Sequence, residues 1–458
     1  MMLLLLSITA LILLFLSFSS CADKEIIKHP NILVIFTDDQ TYKAIGYNNP
    51  EVKTPVLDQL ASEGMIFTHA YTATPICAAS RASLMTGLYP QKNGTVALDY
   101  TTFQEKYCED SGMTTLPRLF NAAGYETCLV GKSHLGNPRE YGFQIGEVTN
   151  DYRDSAHFQF ATGYIRNIKK ENKPFFLWLA PLQPHVPLYP GEQWLNLYDT
   201  SKISISKNFR ESPERKSIYN QGIPGEHFYR DSDYTQNWKE LPAGPPRSVS
   251  VIKDFTKAYY ATISHLDRQI GDLVEVLKEE GLYDNTIIIF LSDNGYFLGN
   301  HGLGNKITMH EESVRVPMFI HWQGLQKKGS TCNELVSSLD VFPTVLELAG
   351  IPYTGNTDGL SLVPLLQDTE GSIREFVASE IVGVGGKLGE GHRMVRTSQW
   401  KYVITDMNEE ALFNELTDPS EMDNVIDNYP EKADEMRKYM IRWMQEVGDT
   451  HQRPRINN

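Results

Sequence analysis

Four short polar clusters each follow an apolar run. Thr37-Asp38-Asp39-Gln40 follows residues 31–36, and Gly131-Lys132-Ser133-His134 follows residues 125–130. Gln183-Pro184-His185 follows residues 174–180, and Ser292-Asp293-Asn294-Gly295 follows residues 286–291. Asp38, Asp39, Asp293 and Asn294 supply carboxylate and amide oxygens, the donor set of a hard divalent cation such as calcium, ahead of magnesium. Adjacent carboxylates repel one another unless a cation or a proton offsets them. Taken singly, each cluster has an ordinary explanation: an Asp after a strand caps a helix or closes a turn, and a lone His is usually just hydrogen-bonded. Recurrence at four strand ends points instead to one pocket, because open α/β sheets bind ligands beyond the carboxyl ends of their strands.

A nucleophile candidate lies in Thr74-Pro75-Ile76-Cys77-Ala78-Ala79-Ser80-Arg81, which continues through small and apolar residues to Gly87. A helix starting at Cys77 would present its N-terminus to whatever that side chain becomes, and a helix N-terminus stabilises anions such as sulfate or phosphate. An isolated cysteine is more often a small buried hydrophobe. The surrounding polar clusters turn the reading towards chemistry.

The elements that must position these residues are legible from hydrophobic periodicity. Residues 31–36, 125–130, 174–180, 286–291 and 317–322 are short β-branched and aromatic runs, which predict strands buried on both faces of a sheet covered by helices. Thr54 as cap, Pro55 at the first position and Gly64 at the end predict a helix over 55–63. Ile263, Leu266, Ile270, Leu273 and Leu277 form a helical stripe that reads as plain core packing and ends at Gly281. From 189 to 250 no period is sustained, which predicts a surface insertion near a binding face. After Leu366 short alternating runs at 376–381, 393–397, 401–405 and 412–416 precede a helix at 431–447, predicting a small antiparallel sheet with one helix. The expected organisation is a signal segment at 1–21, a catalytic domain at 28–366 and a C-terminal α+β domain at 367–458.

Lysine and arginine total 42 against 57 aspartates and glutamates, giving a net charge of −15 over 458 residues. That balance disfavours intrinsic disorder and nucleic-acid coating, and any polyanionic substrate must be held by a local basic pocket. The first twenty residues carry no charge and are almost wholly apolar, the pattern of an export signal rather than a fold element. Ser19-Ser20-Cys21 resembles a bacterial lipoprotein cleavage box, which predicts a lipid anchor at Cys21 and a periplasmic or outer-membrane location. With Cys21 and Cys77 committed, Cys108, Cys128 and Cys332 allow at most one disulfide.

These motifs together strongly resemble the formylglycine-dependent sulfatases of the alkaline-phosphatase superfamily, in particular exported bacterial carbohydrate sulfatases. The resemblance rests on Cys77-Ala-Ala-Ser-Arg81 with its Leu-Met-Thr-Gly tail, Asp38-Asp39, Gly131-Lys132-Ser133-His134-Leu-Gly136, Pro184-His185-Val-Pro187, Asp293-Asn294-Gly295, and His301-Gly-Leu-Gly-Asn-Lys306 followed by Glu311-Glu-Ser-Val-Arg-Val-Pro317. It implies an α/β fold with a large mixed β-sheet flanked by helices, and a smaller C-terminal α+β domain. It also implies that a maturation enzyme oxidises Cys77 to formylglycine, whose hydrate attacks sulfur through one hydroxyl and expels sulfate through the second. Calcium would be held by Asp38, Asp39, Asp293 and Asn294 with the modified Cys77. Arg81 and Lys132 would hold the hydrate, His134 would take the proton in the elimination, and Lys306 and His185 would contact sulfate oxygens, one of them protonating the leaving oxygen. Two departures stand out. Ala79 occupies a position where the family usually has proline, and Ser133 one where an aromatic residue is usual, which predicts an altered pocket shape and substrate preference.

Export and the aromatic and basic insertion, with Trp194, Arg210, Arg215, Lys216 and Trp238, favour a sulfated saccharide as substrate. Two alternatives stay open: a phosphoester or phosphonoester hydrolase of the same superfamily, and an unmatured glycan-binding lipoprotein with Cys77 unmodified.

Overall fold

The computed structural model describes residues 29–96, 98, 101–107, 113–212, 248–367, 371–382, 391–406 and 408–450. In chain order the strands are β1 (Asn31–Thr37), β2 (Met65–Tyr71), β3 (Glu126–Gly131), β4 (Ile145–Glu147), β5 (Phe175–Ala180), β6 (Thr286–Ser292), β7 (Phe297–Leu298), β8 (Gly304–Asn305), β9 (Arg315–Val316), β10 (Met318–His321) and β11 (Ser330–Ser337). The last four are β12 (Val377–Ile381), β13 (His392–Arg396), β14 (Trp400–Thr405) and β15 (Glu410–Asn414). The main sheet runs β11-β2-β10-β6-β1-β5-β3-β4, with β9 pairing to β2. β1 is parallel to β5 and β6, β3 to β4 and β5, and β2 to β11, whereas β10 is antiparallel to both β2 and β6. The result is the expected mixed sheet.

Alternation along β1 shows why such runs are apolar throughout. Ile32, Val34 and Phe36 enter one core cluster, Leu33 and Ile35 the cluster on the opposite face, and all five are fully buried. The predicted stripe lies on a long helix, Val249–Glu279, with Ile263, Leu266, Ile270, Leu273 and Leu277 all buried. The helix Pro55–Glu63 also forms as expected, but its cap differs. Thr54 makes no cap hydrogen bond; its hydroxyl instead accepts from Gly46 N and donates to Asp58. The first amides of that helix are taken from across the core by Asp267, whose carboxylate accepts from Leu57 N at 2.7 Å and Val56 N at 3.2 Å. A buried carboxylate on a neighbouring helix satisfies orphan donors as well as a local side chain does.

β12 to β15 form a second, antiparallel sheet, and the helix Pro430–Val447 packs on it through Met436, Met440, Trp443 and Met444. Two unpredicted strands, β2 and β11, link the sheets: β12 packs against both, and Glu380 N on β12 donates to Ala73 O, just after β2, at 3.0 Å. In the insertion, Trp194 sits on the short helix Glu192–Leu195 and stacks against His265 at 5.6 Å, packing the segment to the long helix instead of standing free at a binding face. Arg210 bonds the backbone of its neighbour Phe209, while Arg215, Lys216 and Trp238 lie outside the described residues. Cys128 and Cys332 are buried and free, so no disulfide joins them; Cys108, Cys21 and the signal segment lie outside the described residues. Among the described residues no helix is long and apolar enough to cross a membrane.

Candidate active site

The carboxyl ends of β1, β3, β5 and β6 deliver Asp38, Lys132, His185 and Asp293 to one side of the sheet. Parallel pairing holds these ends level, with Thr37 opposite Ser292 and Gly131 opposite Ala180. Gly131 has φ 98, and a Cβ there would lie 2.1 Å from Ala180 O, so the close turn that hands Lys132 and His134 to the site requires glycine. Gly295 is needed for the same kind of reason: a Cβ would fall 2.0 Å from Glu312 O.

Cys77 opens the helix Cys77–Thr86, preceded by Ile76 in extended backbone, and that helix closes at Gly87 with φ 71. The thiol is 3% exposed. Sγ of Cys77 and carboxylate oxygens of Asp38 and Asp293 lie within 4.8 Å of one another, as do ligand atoms of Asp38, Asp39 and His185. Arg81, one turn along the helix, donates from Nη2 and Nε to Asp293 Oδ2 at 2.8 and 3.1 Å and from Nη1 to Lys132 O at 3.0 Å. Lys132 Nζ donates to Asp38 Oδ2 at 2.5 Å. Lys306 enters from the β7–β8 hairpin, and its Nζ bonds both Asp39 Oδ1 and Cys77 Sγ, the latter at 2.7 Å. Asn294 Nδ2 donates to Asp39 Oδ1 at 2.7 Å. His185 Nε2 stands 3.7 Å from Asp39 Oδ2.

Three buried carboxylates thus face three cations, Arg81 and Lys306 buried and Lys132 partly so. Burial alone would push the Asp38 carboxyl up, but Lys132, His185, Arg81 and Lys306 outweigh it and hold the group well below the usual carboxylate range. Asp293 goes the other way, to about 7, because burial and the neighbouring Asp38 charge exceed the help from Arg81. Burial lowers Lys306, yet Asp39 and the other acids more than reverse this, so its ammonium stays charged. Burial, Lys132 and Arg81 push the His134 imidazole down to about 3, which keeps it neutral, and its Nδ1 is buried without a hydrogen-bond partner. Burial also raises the Cys77 thiol to about 11 against the pull of Lys132 and Lys306, so as a plain cysteine it is a protonated, poor nucleophile.

A divalent cation fits this donor set. Asp38 Oδ1 and Asn294 Oδ1 are buried acceptors with no hydrogen-bond donor, and orphaned buried oxygens of this kind call for a ligand. The nominated metal and catalytic residues Asp38, Asp39, Cys77, Arg81, Lys132, His185, Asp293, Asn294 and Lys306 thus meet in one cluster, with His134 beside it. Ser133, where the resemblance leads one to expect an aromatic residue, is buried, and its Oγ bonds Gly136 O and Tyr141 OH at 2.7 Å each, closing the turn. His301 belongs to a different cluster, stacked on His310 with ring centres 3.8 Å apart.

Several supporting residues were not foreseen. Tyr259 OH donates to Asp39 O at 2.5 Å and accepts from Thr41 N at 3.0 Å, pinning the left-handed turn at Asp39, φ 64. It lies four residues before Ile263, so extending the helical stripe backwards would have found it. Ser80 and Thr72 hydroxyls donate to Asp293 O at 2.7 and 2.8 Å, and Ser292 Oγ accepts from Gln40 N and donates to Asn294 O. Ser80 is inside the cysteine motif and was visible there; the others depend on which strands are neighbours.

Comparison with known proteins identifies the family. The family profile described as Sulfatase matches residues 30–351, and one described as N-sulphoglucosamine sulphohydrolase, C-terminal, matches residues 299–449. An N-acetylglucosamine-6-O-sulfatase of Bacteroides thetaiotaomicron is 27% identical, with 95% of this chain and 90% of the relative covered. An ulvan-active sulfatase of Formosa agariphila is 26% identical over 92% and 82% of the two chains. Among solved structures, one of a protein in complex with its substrate D-glucosamine-2-N,6-O-disulfate superposes with a TM-score of 0.78 at 24% identity, covering 92% of this chain and 99% of the other. A phosphonate monoester hydrolase of Agrobacterium radiobacter gives 0.76 at 20% identity over 91% and 96%, which establishes a shared fold alone. With a family match over most of its length, the chain belongs to the sulfatase family and is a sulfuric ester hydrolase.

Proposed function

We propose that the enzyme removes a sulfate ester from a saccharide, with Cys77 matured to formylglycine and calcium held by Asp38, Asp39, Asp293 and Asn294. The observation that carries this is the convergence of Cys77 Sγ with Asp38 and Asp293, with Lys306 Nζ bonded to both Cys77 and Asp39. The saccharide is supported by the relatives that act on N-acetylglucosamine 6-sulfate and ulvan. Matured Cys77 would supply a geminal diol as the nucleophile that the buried thiol cannot be. The cation would add two positive charges to a balanced set of carboxylates and ammonium groups, giving the site a surplus suited to an anion.

The chain's own groups then divide the work. Lys306, charged at all working pH values, and His185 hold sulfate oxygens, and one of them protonates the leaving oxygen. Arg81 fixes Asp293 through two bonds and Lys132 through its carbonyl, and with Lys132 it holds the hydroxyls of residue 77. His134, neutral and with Nδ1 open, accepts the proton when sulfate leaves. Such preorganised charge around a developing anion is commonly the largest catalytic contribution. Export, and anchoring through Cys21, are part of the same proposal and rest on the apolar leader and Ser19-Ser20-Cys21.

The test is sulfate release, read by ion chromatography, from a panel of sulfated mono- and disaccharides plus a phosphonate monoester. Protein would be co-expressed with a formylglycine-generating enzyme, and the mass of the peptide carrying residue 77 measured in parallel. Release from a sulfated sugar that Cys77→Ala does not perform is the expected result. Turnover retained in Cys77→Ala would defeat the formylglycine mechanism, and activity confined to the phosphonate would defeat the substrate class.

A further inference from the structure

Asp154 stands outside the reaction centre, yet both oxygens of its carboxylate are engaged. It precedes the helix Ser155–Glu171 but makes no cap bond to it, and it adopts φ 56, which is uncommon for a residue with a side chain. The side chain turns instead to the loop after β5. Oδ1 accepts from Leu182 N and Oδ2 from Gln183 N, both at 2.9 Å, and Oδ1 lies 2.7 Å from His157 Nδ1. His157 Nε2 in turn lies 2.7 Å from Thr149 Oγ1, so the imidazole bridges the carboxylate and the threonine hydroxyl. Both Asp154 and His157 are fully buried.

The anchored loop carries two groups of the site. His185 N donates to Leu182 O at 2.8 Å, closing the turn that aims the His185 ring at Asp39, and Gln183 O accepts from Asp38 N at 3.4 Å. Leu182 and Gln183 have no sheet partner for their amides, so without Asp154 two buried donors would be left unpaired and the turn would be free to shift.

We propose that Asp154 and His157 are positioning residues for His185, fixing the loop 182–185 so that the imidazole meets the sulfate oxygens. This rests on the reading of His185 as a sulfate contact, and the experiment separates the two. In Asp154→Asn one acceptor becomes a donor facing an amide. Hydrogen–deuterium exchange should then show the amides of Leu182 and Gln183 exchanging at least about tenfold faster, with β5 unchanged. In the matured enzyme kcat should fall about 100-fold with KM altered less than about threefold, the size expected when a reacting group is displaced by about 1 Å. In a His185→Asn background the same substitution should cost less than about threefold, because the group it positions is already gone. Should Asp154→Asn fail to fold, His157→Gln carries the same measurements with an expected fall of about tenfold in kcat. Unchanged exchange at 182–183, or the same loss with and without His185, would overturn the proposal. Faster exchange with full activity in His185→Asn would instead overturn the role given to His185.

Discussion

Replacing Lys401 by methionine should loosen the C-terminal sheet from the segment that carries Lys306. Lys401 on β14 has no solvent exposure, and its Nζ lies 2.6 Å from Glu421 Oε1, 2.7 Å from Glu311 Oε1 and 3.6 Å from Glu415 Oε1, and donates to Met309 O at 3.1 Å. Carboxylate oxygens of the three glutamates fall within 4.8 Å of one another. Glu311 follows the Lys306 loop and Glu421 comes from the C-terminal region, so the ammonium joins two parts of the chain that the main sheet does not connect. Methionine keeps the stem and removes the charge, leaving a buried acidic cluster whose remaining close cations, Arg315 at 3.3 Å and Arg396 at 3.7 Å, both sit on Glu311. Removing one partner from a buried ion pair costs about 3–5 kcal/mol. At about 2.1 cal/mol/K per residue the whole chain has an unfolding entropy of about 1 kcal/mol/K, so cooperative unfolding would lower Tm by about 3–5 °C. If the C-terminal sheet and helix, roughly 80 residues, unfold by themselves, the same loss would shift their transition by about 18–30 °C.

Calorimetry at pH 7.5 and 5.0 reads both size and sign. In the native protein burial pushes Glu311 up, but Lys401, Arg396 and Arg315 outweigh it and hold its carboxyl well below the usual range. A depressed carboxyl contributes stability that is present above the unfolded value and is lost as pH falls through the folded one. In Lys401→Met the order reverses: with carboxyls raised, the clustered acids are tolerated when protonated and destabilise as pH rises. The deficit against wild type should therefore be larger at pH 7.5 than at pH 5.0. A Tm change below about 1 °C at pH 7.5, or a deficit that grows on acidification, would refute the reasoning.

Exhaustive chelation should abolish sulfate release yet lower Tm by only about 3 °C, since a cation at 100 times its Kd adds about 2.7 kcal/mol and Arg81, Lys132 and Lys306 still compensate the acids; unaltered activity after chelation would remove the metal from the reading. Asp267→Ala should lower stability by about 1–2 kcal/mol, seen as a reduced urea midpoint at unchanged m, because Val56 and Leu57 lose their acceptor; an unshifted midpoint would return the cap to Thr54. Gly131→Ala should lower both Tm and kcat, as a Cβ 2.1 Å from Ala180 O must displace Lys132 and His134; wild-type kinetics in that variant would show that the turn has slack.

The sequence by itself determined the strands that bear the site, the residue types at their ends and the cysteine motif. These are local properties: an apolar run buried on both faces, a glycine at a left-handed turn and a carboxylate beside it all show in a few consecutive letters. The alternation after Leu366 likewise located β12 to β15 and the closing helix within a residue or two. Only the tertiary structure decided which of these parts meet. β10 is inserted antiparallel between β2 and β6, and no pattern within Met318–His321 states that. Asp154 and Thr54 each stand where a helix cap belongs, but one holds the His185 loop and the other is replaced by Asp267 from another helix. The Ser133 hydroxyl closes a turn through Gly136 and Tyr141, partners that its place in the motif does not name. The difference is one of range: propensity and periodicity are set by neighbours along the chain, whereas the partner of a buried polar group is whatever packing brings within about 3 Å, often hundreds of residues away.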